Sequence, residues 1–308
     1  MTRSNRGSLD NLYLHFPFCR RKCTYCALPS RAVKPDPEYV ARLVRELPPG
    51  PFKTVYFGGG TPALCDLKPL FDRLSAPEFT VELHPLDVTR PLLETLKAGG
   101  VNRISMGVQS FNDRTLKDMG RGYTATQAHR AFDLVREYFD NAGIDLIVGY
   151  PDDRWALEDW GFKHCSVYSL ILEEKSILYA QKRAIPGDDE VLDRIREVSE
   201  ELAALGLRRY EISSYAVPGY ECRHNLAVWK GEDYLGLGDG AESGLDRSPR
   251  ERILRLRTYL GLDARDFPQH VERLDFYVRQ GLLTKTGTVY RLTPRGTEVC
   301  DSILSDLC

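Results

Sequence analysis

The sequence predicts an α/β fold: six strand–helix units forming an open (βα)6 barrel or a doubly wound parallel sheet, followed by a small winged-helix-like appendix. Three observations predict it. Short β-branched or aromatic runs alternate with amphipathic helical stretches over the first two thirds of the chain. The unusual polar residues fall just after those runs, at one end of the implied sheet. From Pro249 the order changes to helix, helix, hairpin, helix.

The six strands are predicted at Leu12–Phe16, Thr54–Phe57, Phe79–Leu83, Arg103–Val108, Ile144–Val148 and Ser166–Ile171. Helices are predicted at Pro37–Leu47, Leu67–Leu74, Thr89–Ala98, Thr124–Phe139 and Asp188–Leu205. Gly99-Gly100 and Gly143 punctuate helix ends before the next strand. Such alternation implies right-handed crossovers and parallel pairing. The fifth crossover, Asp152 to Lys163, is close to the minimum length for a parallel connection. The appendix is predicted as helices around Arg250–Tyr259 and Pro268–Gln280, a hairpin through Thr288–Leu292 and a last helix from Pro294. The chain is thus divided into a core at 1–206, an extension rich in Gly and Tyr at 207–248 and the appendix at 249–308.

Composition narrows the class. The chain has 308 residues, 42% hydrophobic and 28% charged, which excludes a disordered or fibrous protein. With 42 Lys+Arg against 44 Asp+Glu, the net charge of −2 lacks the basic field of a general nucleic-acid binder. No uncharged apolar run approaches the roughly 20 residues of a membrane span. Met1 to Asp10 is polar, without the apolar stretch of a secretory signal, so a cytoplasmic location is expected.

In a reducing compartment, eight cysteines do not read as a disulfide framework. Cys19, Cys23 and Cys26 lie within eight residues, in a Cys-x3-Cys-x2-Cys pattern directly after the first strand. Three such thiolates can each hold one iron of a cubane cluster and leave the fourth iron open. A zinc clip that borrows His15 or another cysteine is the alternative. Cys65, Cys165, Cys222, Cys300 and Cys308 are scattered and read as small apolar residues or idle thiols.

The segment Tyr13-Leu14-His15-Phe16-Pro17-Phe18-Cys19-Arg20-Arg21-Lys22-Cys23-Thr24-Tyr25-Cys26 resembles the cluster loop of radical S-adenosylmethionine (SAM) proteins. Its flank, with Gly58–Pro62, Val101–Phe111 and Asp145–Gly149, is similar to the branch that contains coproporphyrinogen III dehydrogenases and heme chaperones. So is Tyr215-Ala216-x-Pro218-Gly219-Tyr220-x-Cys222-x-His224-Asn225, and the resemblance runs from about Leu12 to Gly244.

The resemblance implies a partial TIM-like radical SAM barrel with a [4Fe-4S] cluster on Cys19, Cys23 and Cys26. It implies SAM chelated at the open iron, and reductive cleavage of the sulfonium to a 5′-deoxyadenosyl radical. Tyr13, Tyr25, Gly59, Gly60, Thr61, Glu82, Gln109, Arg121 and Asp145 match positions that line SAM sites in the family. Gly58–Gly60 permit close backbone approach, and no Gly-Lys-Ser/Thr follows, which argues against a P-loop. His224 matches a segment linked with heme and is a candidate iron ligand; Val228 stands where the segment usually has Tyr, and Glu242 where a His is usual. Dehydrogenases add a fourth cysteine two positions after the third; here that position is Leu28, which is closer to the chaperone branch.

Three functions follow as expectations. The first is a heme-binding chaperone that passes heme to apo-proteins. The second is a radical SAM enzyme that takes an electron donor, either an oxygen-independent coproporphyrinogen III oxidase acting on the porphyrinogen or a related methyltransferase. The third is a zinc-clipped barrel whose Arg250, Arg252, Arg255 and Arg257 meet DNA, which the overall charge disfavours. The expected partners are therefore heme or a porphyrinogen, with no nucleic acid and no membrane span.

Overall fold

The computed structural model describes residues 9–151, 155–245 and 249–307, the side chains of 249 and 250 excepted. Strands β1 (Asn11–Phe16), β2 (Thr54–Gly59), β3 (Glu78–Leu83), β4 (Arg103–Gln109), β5 (Ala142–Val148) and β6 (His164–Ser169) lie side by side in chain order, all parallel. Sequential order means every crossover moves the same way, so the helices share one face and the sheet curls. A doubly wound sheet would reverse direction partway, so the open-barrel reading is the correct one of the two.

The sheet continues at both edges. β9 (Tyr234–Leu237) pairs parallel with β1, while β8 (Ser214–Ala216) and β7 (Arg208–Arg209) run antiparallel beyond β6. Among the described residues the two edges do not meet, so the barrel stays open.

Period-two alternation builds two faces. Leu12, Leu14, Phe57, Val81, Ile104, Met106, Ile144 and Leu146 are fully buried against the helical layer. The residues between them, such as Tyr13, Tyr56, Glu82, Ser105 and Asp145, face the barrel interior. The helical layer contains Glu38–Glu46, Arg90–Ala98, Ala125–Tyr138 and Asp188–Ala204. Thr124 and Gln127 form a reciprocal capping box at the start of the third.

Some elements differ from expectation. The Leu67–Leu74 helix shrinks to Lys68–Phe71. Three unforeseen α-helices occur among the described residues: Asp113–Asp118, capped by the Asn112 side chain, Ile177–Ala180, capped by the Ser176 side chain, and Arg223–Trp229. The sixth strand starts at His164, two residues before its predicted start. The crossover into it has no helix among its described residues, and positions 152–154 lie outside them.

The C-terminal segment has its own apolar cluster, centred on Leu256, Leu262, Leu274, Tyr290 and Ile303. Its three-stranded sheet places β12 (Val289–Leu292) between β10 (Leu262–Asp263) and β11 (Leu283–Thr286). The expected Arg250–Tyr259 helix is a single turn at Pro249–Arg252 followed by a 3-10 stretch, Ile253–Arg257. Arg257 pairs with Asp301 at 2.6 Å and stacks over Trp229 at 4.7 Å, so it is not part of an open basic face. The Arg250 side chain lies outside the described residues. Among the described residues no helix is long and apolar enough to cross a membrane.

Candidate functional site

The loop after β1 is held at both of its ends. Cys19 N–H donates to Arg31 O at 2.9 Å and Arg31 N–H to Pro17 O at 2.7 Å. In the middle, Thr24 N–H reaches Met119 O at 3.0 Å and its hydroxyl donates to Asp118 O at 2.9 Å. Lys22 crosses the loop, donating to Leu28 O at 2.8 Å and to the Ser30 hydroxyl at 3.0 Å. These bonds turn the three cysteines into one cavity of about 540 Å³ at the C-terminal ends of the strands.

Glycine chemistry makes the close packing possible. A Cβ on Gly60 would fall 2.5 Å from Phe18 O and 2.9 Å from the Cys19 sulfur. Gly59 has a φ of +106°, and a Cβ there would strike the His15 ring at 2.5 Å.

The polar wall comes from the interior face. Glu82 accepts from Tyr56 Oη at 2.9 Å and Gly59 N–H at 3.2 Å. Burial, and then the neighbouring Asp145, push its carboxyl up to about 7. Burial also raises Asp145, although Ser105 donates to both of its oxygens at 3.1 and 3.2 Å. Gln109 ends β4 at a bulge with φ of +71°, a left-handed conformation that a side chain rarely adopts. Arg121 is buried; it donates to Gly107 O at 2.6 Å, Tyr123 Oη at 2.8 Å and the Cys23 sulfur at 3.4 Å. Burial, together with the nearby arginines, holds His84 down at about 3, so this cavity residue is neutral.

The cavity brings together Cys19, Cys23, Cys26, Tyr25, Gly59, Gly60, Thr61, Glu82, Gln109, Arg121 and Asp145. It does not bring in Tyr13 or His224. Tyr13 points into the barrel one register step below, bonded to His15 Nδ1 at 3.0 Å. His224 is buried at the barrel floor, with Nδ1 2.8 Å from Thr54 Oγ1 and its ring among Tyr13, Tyr56 and Tyr234. Burial lowers it to about 4, which keeps it neutral. Tyr56 and Ser105, which hold the two carboxylates, were not among the expected residues. Their position on the interior face of predicted strands was the available signal. The exposed apolar side chains Leu28, Leu86, Tyr168 and Ile171 ring the mouth, with Arg20 and Arg21 beside them.

The donor set fits an iron–sulfur cluster: three partly exposed soft thiols face one cavity, with cationic Lys22 and Arg121 beside them. The borrowed-His15 zinc clip does not fit, because both ring nitrogens of His15 are engaged, by Tyr13 Oη and by Pro29 O at 2.9 Å. Cys165, Cys222 and Cys300 are buried elsewhere. Among the described residues no group of three His, Cys, Asp or Glu is gathered at single-ion spacing.

The Radical SAM superfamily profile matches residues 13–160. The heme chaperone HemW of Escherichia coli (strain K12) is 35% identical over 275 residues, covering 80% of this chain and 72% of that one. HemW of Mycobacterium tuberculosis is 31% identical over 373 aligned positions, covering 98% and 95%. The solved structure of coproporphyrinogen III oxidase (HemN) from Escherichia coli, a radical SAM enzyme, superposes with a TM-score of 0.79 at 20% identity, covering 97% of this chain and 90% of that one. Interior polar row, cysteine loop and relatives agree: the chain belongs to the radical SAM superfamily and, within it, to the HemW family.

Proposed function

We propose that this protein is a radical SAM heme chaperone that binds heme and hands it to apo-proteins. The observation that carries the reading is the convergence of three cysteines, Glu82, Gln109, Arg121 and Asp145 on one cavity with an apolar mouth, in a chain of the HemW family.

Cys19, Cys23 and Cys26 would hold a [4Fe-4S] cluster, which when bound supplies an open iron for the amino and carboxylate groups of SAM and an electron for its sulfonium. The protein's own residues do the positioning. Glu82 offers an anionic acceptor to a ribose hydroxyl or an ammonium. Gly59 and Gly60 leave backbone room beside the cluster loop, and Thr61 stands next to them. Arg121 fixes Tyr123 and the Gly107 carbonyl, which shapes the bulge that presents Gln109. Leu28, Leu86, Tyr168 and Ile171 offer an apolar rim to a flat macrocycle, and Arg21 suits its carboxylates, whereas Arg20 is already paired with the buried Asp87.

A second reading, an oxygen-independent coproporphyrinogen III oxidase or a related methyltransferase, is favoured by the complete polar wall for SAM. Anaerobic reconstitution separates the two. SAM, heme and coproporphyrinogen III are added in turn while spectra and products are followed. About one heme bound per chain, with no substrate-linked 5′-deoxyadenosine, supports the chaperone. Product from coproporphyrinogen III, with 5′-deoxyadenosine formed alongside, overturns it in favour of the enzyme.

A further inference from the structure

The turn that follows β9 packs against the back of the cysteine loop, and the function proposed above makes no use of it. β9 lies beside β1, Asn11–Leu14 against Tyr234–Leu237, so both chains leave the sheet at the same level. Three contacts join them. The Tyr39 hydroxyl donates to His15 O at 2.7 Å and accepts from Asp239 N–H at 3.0 Å. The Asp239 carboxylate pairs with Arg42 at 2.6 Å and with Arg31, the residue that closes the loop, at 3.4 Å. Gly240 lies against Pro29, whose carbonyl is bonded to His15 Nε2 at 2.9 Å.

The Gly240 contact constrains the loop more than the ion pairs do. The ion pairs of Asp239 are solvent-exposed and hold little energy. Gly240 has a φ of +91°, and a Cβ there would lie 2.5 Å from Pro29 Cβ. Pro29 is three residues past Cys26, so a side chain at 240 forces the turn and the cysteine loop apart at this contact. Gly238 repeats the pattern, since a Cβ there would fall 2.5 Å from His15 O.

We infer that the Gly238–Ala241 turn is a clamp that positions the cysteine loop, and through it the iron cluster that the proposed function places there; the inference rests on that reading. Tyr39, Asp239 and Gly240 are thus positioning residues.

The test compares Gly240→Ala with Gly219→Ala. Both glycines have positive φ, +91° and +96°, but a Cβ at Gly219 meets nothing within 4 Å. The readouts are iron and sulfide per chain after anaerobic reconstitution, the electron paramagnetic resonance spectrum of the reduced cluster with and without SAM, and the rate of iron release to a chelator. Gly240→Ala is expected to alter the spectrum and release iron several-fold faster, while Gly219→Ala, which carries the same left-handed backbone strain without the clash, keeps the spectrum and release rate of the parent protein. Identical spectra and release rates for the two variants refute the clamp. Should Gly240→Ala fail to fold, Tyr39→Phe decides, because it removes one hydroxyl and keeps the ring packed on Phe18 at 4.9 Å. It is expected to shift the spectrum in the same way, and an unchanged spectrum refutes the clamp. If the parent protein takes up neither iron nor sulfide, the cluster reading fails and the clamp falls with it.

Discussion

Arg121 Nη1 stands 3.4 Å from the sulfur of Cys23, across 98 residues of sequence. This contact ties the loop after β1 to the segment after β4, and it places a permanent cation beside a thiol that the proposed function makes a thiolate ligand. Arg121→Lys keeps the charge and loses the fork that reaches Gly107 O and Tyr123 Oη. Iron retention by the reconstituted protein is expected to fall, with secondary structure unchanged by circular dichroism. Full retention would show that the fork is dispensable.

The three loop cysteines should behave differently from the rest. Cys19→Ala, Cys23→Ala and Cys26→Ala are each expected to abolish a stable cluster while melting close to the cluster-free parent protein, because these side chains are only partly buried on a loop. Cys165→Ala should keep the cluster and lose about 1 kcal/mol of stability from a small core cavity. Iron and sulfide analysis beside a denaturant titration checks both halves.

Glu82 gives a pH signature. Its carboxyl sits at about 7 in the folded protein, above the usual carboxylate range, because burial and Asp145 disfavour its charge. A cationic ligand needs the ionised form, so SAM affinity is expected to rise between about pH 6 and 8, by at most about tenfold per pH unit below 7. Stability of the ligand-free protein runs the other way: the folded state holds the proton more tightly, so this group's contribution falls as pH rises from about 4.5 through 7. Glu82→Gln should weaken SAM binding and flatten both profiles. Calorimetric titrations across that range decide it, and an unchanged slope in the variant would contradict the assignment.

Gln109 trades stability for position. A side chain at φ +71° costs about 1–2 kcal/mol relative to glycine. Gln109→Gly is therefore expected to raise stability by about 1 kcal/mol while lowering SAM affinity. A variant that is both less stable and unchanged in binding would remove Gln109 from the site.

His224 separates a ligand from a structural residue. Its place between Thr54 and three tyrosines predicts that His224→Ala costs about 2 kcal/mol and leaves the Soret band of bound heme unchanged. Loss of the Soret band at unchanged stability would instead make it the heme ligand.

The legible parts of the fold are those fixed by local pattern. β1 to β5 were readable to within one or two residues because each alternates buried and interior-facing side chains. β9 was not, because Tyr-Leu-Gly-Leu followed by more glycine reads as a turn; its strand state comes from pairing with β1, 223 residues away at Asn11 and Tyr234. The helix Arg223–Trp229 has no cap of its own. Its first N–H groups donate to the Glu78 carboxylate on β3, both at 2.8 Å, a partner that sequence spacing cannot announce. The site followed the same division. The candidate residues at strand ends line one cavity because parallel strands open on the same side, whereas Tyr13 lies within β1 and His224 on the helix Arg223–Trp229, both outside that lining.

Metal and sulfide analysis of the protein isolated and reconstituted without oxygen decides whether Cys19, Cys23 and Cys26 hold a cluster. A cluster there predicts a brown protein with about four iron and four acid-labile sulfide per chain, whose spectrum changes when SAM is added. A colourless protein that holds zinc and no sulfide would contradict it.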